Sequence, residues 1–232
     1  MNVVITGASQ GIGLAIAAAF ANAGYTLCLC SKTKANMDAA GNSLAAKYPN
    51  ATIHFTHADL SKKEQCTQFA NWCLEKGTPT ILINNAGFFA PGNIQDEGEG
   101  ALEQQMAVNL YSAYHTTRAL LPAMLKMGKG HVFNICSIAS LNAYAQGGSY
   151  SISKFALLGF SKNLRLELKD KGIKVTAVCL GAVYTNSWVG SSVDPNRIME
   201  SEDIAKMIFA AAHLSPQAVV EDIVMRPQKG DL

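Results

Sequence analysis

No block of lysine and arginine occurs anywhere in this sequence. The 19 basic and 17 acidic residues are spread along the chain, so the basic stripe needed for nucleic-acid binding is missing. Long apolar runs are also missing. The strongest helical one, Leu14 to Ala21, falls well short of the roughly 20 residues that span a bilayer. The opening residues, Asn2-Val3-Val4-Ile5-Thr6, have neither a basic leader nor a small-residue cleavage site, and a cytoplasmic location is expected. The six cysteines, at 28, 30, 66, 73, 136 and 179, form no CxxC pair and no zinc spacing. They are expected to be buried free thiols, with no metal. Charged residues make up 16% and apolar residues 49%, which excludes a disordered chain. A chain of 232 residues buries roughly 70% of its unfolded surface, so it needs no disulfide or metal to hold it together.

No repeat, low-complexity tract or linker divides the chain, and one domain over 1–232 is expected. Apolar, β-branched runs alternate with helical patterns from end to end. Strands are expected at Asn2–Thr6, Thr26–Cys30, Thr52–His57, Thr80–Asn84, His131–Cys136, Lys174–Leu180 and Asp222–Met225. Helices should begin near Gly11, Ala35, Lys62, Glu99, Tyr150 and Glu202, with Gly24 and Gly172 as stops. Continuously apolar strands fit a parallel sheet covered on both faces. The alternation predicts an α/β fold, a doubly wound, Rossmann-like sheet of about seven mostly parallel strands. Its ligand would lie at the carboxyl ends of the strands.

At the first such end stands Thr6-Gly7-Ala8-Ser9-Gln10-Gly11-Ile12-Gly13, leading into a helix. Glycines let the backbone approach a phosphate, and the helix start attracts its charge. The spacing is Gly-x3-Gly-x-Gly, not the Gly-x-Gly-x-x-Gly fingerprint. The same residues read as Gly-x-Ser-x-Gly around Ser9, the nucleophile elbow of a hydrolase, which is a competing reading. Against it, no strand comes before the one that leads to Ser9 to supply an oxyanion hole, and no downstream histidine falls in an obvious partner loop.

Tyr150 and Lys154, four apart at a helix start, share one face. That pair alone is a weak signal, but Ser137 ends the fifth strand, Asn109 lies in the preceding helix, and Asn84-Asn85-Ala86-Gly87 closes the fourth strand. A carbonyl that accepts a hydride becomes an alkoxide needing a proton. A tyrosine serves if an ammonium about 4 Å away lowers its pKa by roughly three units.

With these residues in this order, the chain resembles a short-chain dehydrogenase/reductase over nearly its whole length. The resemblance implies an NAD(P)(H)-dependent alcohol–carbonyl oxidoreductase. Tyr150 would be the general acid/base, Lys154 would lower its pKa and hold the nicotinamide ribose, Ser137 would orient the carbonyl, and Asn109 would hold a relay water. Cofactor contacts would come from Gly7, Ser9, Gln10, Gly11, Ile12 and Gly13, from Ser31 and Lys32, and from Asp59 and Leu60. Asn85, Ala86 and Gly87, and after the sixth strand Gly181, Val183 and Thr185, would add to them. Asp59 would meet the adenine. One departure is Leu180 before Gly181, where the family usually has proline; a looser loop is expected. The long helices near Glu99 and Tyr150 would pair across a two-fold axis, giving a homotetramer or a homodimer.

No Asp or Glu occurs from Gly7 to Met37, so the carboxylate that reads a ribose 2′-hydroxyl is missing. Ser31, Lys32 and Lys34 favour NADP(H) over NAD(H), although Gln10 stands where a basic residue is common in NADP-preferring relatives. Residues 184–200, with Trp188, Val189, Val193, Ile198 and Met199, read as a lid over the substrate. Phe88, Phe89 and Tyr144 would line the same edge and suit a flat or apolar carbonyl compound. The tail Val219–Pro227 is similar to that of bacterial sepiapterin reductase-like members, and a 3-oxoacyl reductase is the other common role. A dinucleotide-sensing protein without turnover is the third reading, weakened by the intact Ser137, Tyr150 and Lys154 set.

Overall fold

Seven strands form one sheet in the order β3-β2-β1-β4-β5-β6-β7, every neighbouring pair parallel. The computed structural model describes residues 1–185, 188, 190 and 192–232. The strands are β1 Asn2–Thr6, β2 Thr26–Ser31, β3 Thr52–His57, β4 Pro79–Asn84, β5 Gly130–Ser137, β6 Ile173–Leu180 and β7 Asp222–Met225. β1, β2, β5 and β6 are buried almost from end to end, as a sheet covered on both faces requires. The edge strands β3 and β7 keep exposed positions.

The helices are α1 Gly11–Asn22, α2 Lys34–Lys47, α3 Lys63–Glu75, α4 Ala101–Met106, α5 Ser112–Met127, α6 Gly148–Leu168 and α7 Ser201–Ala212. Alternate strand residues send side chains to opposite faces, and two cores result. Val3, Ile5, Leu29 and Phe133 pack with Ile16 and Phe20 of α1, Met37 of α2 and Ile204 of α7. Val4, Leu82, Val132 and Val175 pack with Phe69 of α3, Leu120 of α5 and Leu164 of α6. Each such large side chain contributes about 1.5–3 kcal/mol on burial. All six cysteines are free and buried, as expected. Gly24 and Gly172 hold left-handed backbone, with φ of 76° and 73°, just past α1 and just past α6 and its 3-10 extension.

The helix expected from Glu99 differs. α4 and α5 are joined by a π turn, Ala107–Tyr111, that carries Asn109 inward. No helix among the described residues is long and apolar enough to cross a membrane. Strand order reverses between β1 and β4, and such a reversal opens a crevice at their carboxyl ends.

Candidate active site

β1 ends at Thr6, and the chain turns through Gly7, with φ of 66°, into α1. Within α1, a Cβ on Gly13 would stand 2.3 Å from the Gly7 carbonyl oxygen, so the helix packs against the turn only because Gly13 is bare. α1 starts without a side-chain cap and without an acidic residue in its first turn, leaving its positive end uncompensated. A bare glycine turn beside an open helix start fits a pyrophosphate.

The turn is held from behind. Asn85 Nδ2 donates to the carbonyls of Thr6 at 3.0 Å and Gly7 at 2.9 Å, while Thr6 Oγ1 accepts the N–H groups of Asn85 and Ala86, each at 3.0 Å. Sequence reasoning missed Thr6 and saw Asn85 only as a cofactor contact. Their one visible signal is position, at the ends of neighbouring strands. Asn84 turns away and bonds Thr117 and Asn134 inside the molecule.

At the end of β2, Lys32 Nζ lies 3.2 Å from the Asp59 carboxylate. Two residues expected to meet different parts of a cofactor therefore meet each other. Burial pushes the Asp59 carboxyl up, but the N–H and hydroxyl of Ser61 and the Lys32 ammonium outweigh this and hold it below its ordinary range. Lys34 is paired with Asp38 on its own helix. Ser31 is buried, its hydroxyl 3.4 Å from the Thr33 carbonyl. Leu60 is a core residue, and Ile12 packs on the core beside α1.

Ser137, at the end of β5, accepts the Ala139 N–H at 3.1 Å and donates its hydroxyl to the Leu180 carbonyl at 3.4 Å. Tyr150 sits in the first turn of α6, and Lys154 follows one turn later. Lys154 is buried; its Nζ donates to the Ile135 carbonyl at 2.9 Å and stands 5.8 Å from the Tyr150 ring centre. The expectation that a lysine about 4 Å away pulls the phenol toward neutrality is corrected here. Partial burial dominates and pushes the Tyr150 phenol above its ordinary value, against the opposing effect of the Ser137 hydroxyl. Burial also pushes the Lys154 ammonium down.

Asn109, buried in the π turn, faces the loop after β4. Its Nδ2 donates to the Phe88 carbonyl at 3.1 Å and to Ser153 Oγ at 2.9 Å, and its Oδ1 accepts the Phe88 N–H at 2.9 Å. Both amide protons are used, so the side chain clamps the loop after β4. Gly87 lies in that loop, where a Cβ would be 3.0 Å from Asn109 Oδ1.

Phe89, half exposed, sets its ring edge-on to Tyr150 with centres 4.9 Å apart. Burial, with Tyr150 as a smaller cause, pushes the Tyr144 phenol up to about 12. Past β6, Gly181 donates its N–H to the Met225 carbonyl at 2.8 Å, and Val183 bridges Met199. These ties anchor the loop that lacks the proline. Val183 itself is buried in the core beside α1, so its side chain is packing. Thr185 reaches α1: a Cβ on Gly11 would be 2.9 Å from its Cγ2. Of the expected lid, Trp188 is half-buried and Ile198 buried, whereas Val189 lies outside the described residues.

Ser9 has no base. His54 meets Trp72, His115 meets Tyr114, His131 bonds Thr176 and His213 bonds Tyr25. His57 ends the edge strand β3, with β2 between it and β1.

The family model described as short chain dehydrogenase matches residues 1–195. A sepiapterin reductase from Chlorobaculum tepidum is 33% identical over 240 aligned residues, covering 99% of this chain and 97% of that protein. An uncharacterised oxidoreductase of Staphylococcus saprophyticus is 29% identical, with 97% and 96% covered. Among solved structures, an alcohol dehydrogenase from the archaeon Thermococcus sibiricus, complexed with 5-hydroxy-NADP, superposes with a TM-score of 0.89 at 26% identity, over 98% of this chain and 96% of that one. A metagenomic short-chain oxidoreductase in complex with NADP gives 0.86 at 28% identity, over 98% and 97%.

Proposed function

This chain belongs to the short-chain dehydrogenase family, and on that footing we propose that it is an NADP(H)-dependent oxidoreductase interconverting a carbonyl and an alcohol, with Tyr150 as general acid/base. The observation that carries this reading is the placing of Tyr150 in the first turn of α6 with the buried Lys154 one turn later, its Nζ bonded to Ile135 of β5, the strand that Ser137 ends. The bound cofactor supplies the hydride. Ser137 holds the carbonyl oxygen, and Tyr150 gives its proton to the alkoxide that forms. A phenol raised by burial is protonated at neutral pH, the state a donor needs. The phenolate left behind faces the Lys154 ammonium, whose Nζ stands 5.8 Å from the Tyr150 ring centre. Lys154 would also hold the nicotinamide ribose.

NADP(H) is supported by the missing acid at the end of β2 and by the NADP-type ligands of the two solved relatives. For the substrate, the likeness to sepiapterin reductase and the aromatic edge of Phe89 and Tyr144 favour a flat, pterin-type or other ketone over a 3-oxoacyl thioester. The rest of the reading is one catalytic domain over 1–232 with residues 184–200 as its lid, a cytoplasmic location, and assembly as a homotetramer or homodimer. Neither nucleic acid nor a membrane enters it.

A screen of carbonyl compounds with NADPH, read as loss of cofactor absorbance, identifies the substrate. Tyr150→Phe then lowers kcat at least about 100-fold while NADPH binding stays within about twofold, because the ring is kept. Lys154→Met damages both turnover and cofactor binding, and Ser9→Ala is silent in turnover. Near wild-type turnover by Tyr150→Phe sinks the donor assignment. NADPH binding without turnover of any carbonyl marks a sensing protein instead.

A further inference from the structure

We propose that Glu97 is a positioning residue for Tyr150, capping from the loop after β4 the helix that carries it; this rests on the reading of Tyr150 as proton donor. α6 has no side-chain cap of its own and no acidic residue in its first turn. Glu97, more than fifty residues upstream, supplies what is missing. Its carboxylate accepts the Ser149 N–H at 2.8 Å and the Ser149 hydroxyl. It thus satisfies a free donor and places a negative charge at the positive end of the helix.

Several further contacts tie the same loop to the same helix start. Gly92 donates its N–H to the Gln146 carbonyl at 3.0 Å, and Gln146 donates its N–H to Asn93 Oδ1 at 3.2 Å. Gln146 has φ of 60°, a conformation rare for a side-chain-bearing residue. Gly148 also has positive φ, and a Cβ there would lie 2.2 Å from Glu97 Oε1 and 2.5 Å from the Gly92 carbonyl. The glycine is what lets the carboxylate close on the helix. Upstream in the loop, Phe89 sets its ring against Tyr150, and Asn109 holds the backbone of Phe88. Residues 88–97 are therefore pinned at both ends around the phenol. Release of the Glu97 end frees the first turn of α6, where Tyr150 sits one residue past Ser149.

The test compares Glu97→Ala and Glu97→Gln, each alone and combined with Tyr150→Phe. Glu97→Ala lowers kcat about tenfold or more, since small misplacements of a reacting group are costly, while KM for NADPH stays within about twofold. Glu97→Gln regains most of the rate, because its amide oxygen still accepts the Ser149 N–H. In the Tyr150→Phe background, Glu97→Ala has no further effect on the residual rate, as expected for a residue that acts through Tyr150. Amide exchange at residues 149–152 speeds up in Glu97→Ala with or without a known substrate. If Tyr150→Phe alone keeps its rate, the redox reading fails, and amide exchange still decides the cap. The proposal is overturned by unchanged exchange, by kcat within about twofold of wild type, or by an equal fall in both backgrounds. Should Glu97→Ala not fold, Ser149→Ala, which removes the hydroxyl bond alone, takes its place with a smaller expected fall in kcat and the same criteria.

Discussion

Lys32 is 74% exposed and already paired with Asp59, so its attraction for a 2′-phosphate is shared with a carboxylate. An exposed ion pair is worth about 1 kcal/mol or less, and a hydrogen bond to a charged group about 1.5–3. A preference for NADPH of roughly ten- to a thousandfold in kcat/KM follows, the Lys32–Asp59 pair placing it toward the lower part of that range. Steady-state rates with both cofactors measure it, and rising salt should shrink it because the site is open to solvent. Ser31→Asp with Lys32→Ala reverses the preference by adding repulsion and removing attraction. Equal or better activity of the unaltered protein with NADH refutes it. The absence of an acid at the end of β2 was legible in the sequence, whereas the partners of Lys32 and Lys34 were not. Asp59 is 27 residues from Lys32 in the chain, and only the pairing of β2 with β3 brings them together.

The helical elements carry the site by their irregularities. Periodicity marks a helix from near Glu99, but it does not show the π turn that lets Asn109 point at the loop after β4. The turn depends on what Asn109 finds there, the Phe88 backbone and Ser153, and neither is a local neighbour. Beyond this, the outer sides of α5 and α6 leave Tyr114, Ile152, Phe155 and Leu166 exposed. Pairing across a two-fold axis would cover such positions, and closed symmetric assembly is the usual state of soluble oligomers. Light scattering at micromolar concentration should give two or four times the chain mass, and Phe155→Glu should shift it toward the monomer. A strictly monomeric unaltered protein rules the assembly out.

Across the whole molecule, stability should depend on pH through His131. This residue is 4% exposed in β5, stacked on Phe133, and its Nε2 lies 2.7 Å from Thr176 Oγ1. Thr176 gives its own proton to the Val220 carbonyl, so Nε2 carries the hydrogen, and Nδ1 is buried with no hydrogen-bond partner among the described residues. Burial, helped by Lys174, pushes the imidazole pKa down to about 3. The unfolded chain takes a proton there below about pH 6.5, and the folded one does not. The contribution is whole above pH 6.5 and is lost as pH falls toward 3, by at most about 1.4 kcal/mol per pH unit. Denaturant midpoints should therefore decline from pH 6.5 to 5 in the natural protein and decline less in His131→Phe. The smaller downward shift at His115 is common to both and cancels. Parallel curves would show that His131 is not the cause.

The sequence by itself determined the alternation of strands and helices, the glycine turn after β1, and the Ser137, Tyr150 and Lys154 set. Each is written locally: in β-branched runs, in glycines that alone adopt the turn, and in an i, i+4 spacing that shares a helix face. Tertiary structure decided what those residues touch. Sheet order put β1 beside β4, so that Asn85 could brace Gly7. Packing turned Lys154 to the Ile135 carbonyl and half-buried Tyr150, and the desolvation pushes its phenol up where a nearby lysine was expected to pull it down. It also brought Glu97 to the start of α6. Hydrogen bonds and burial between residues far apart in the chain have no signature in spacing or composition, because they exist only once the intervening segments have folded around them.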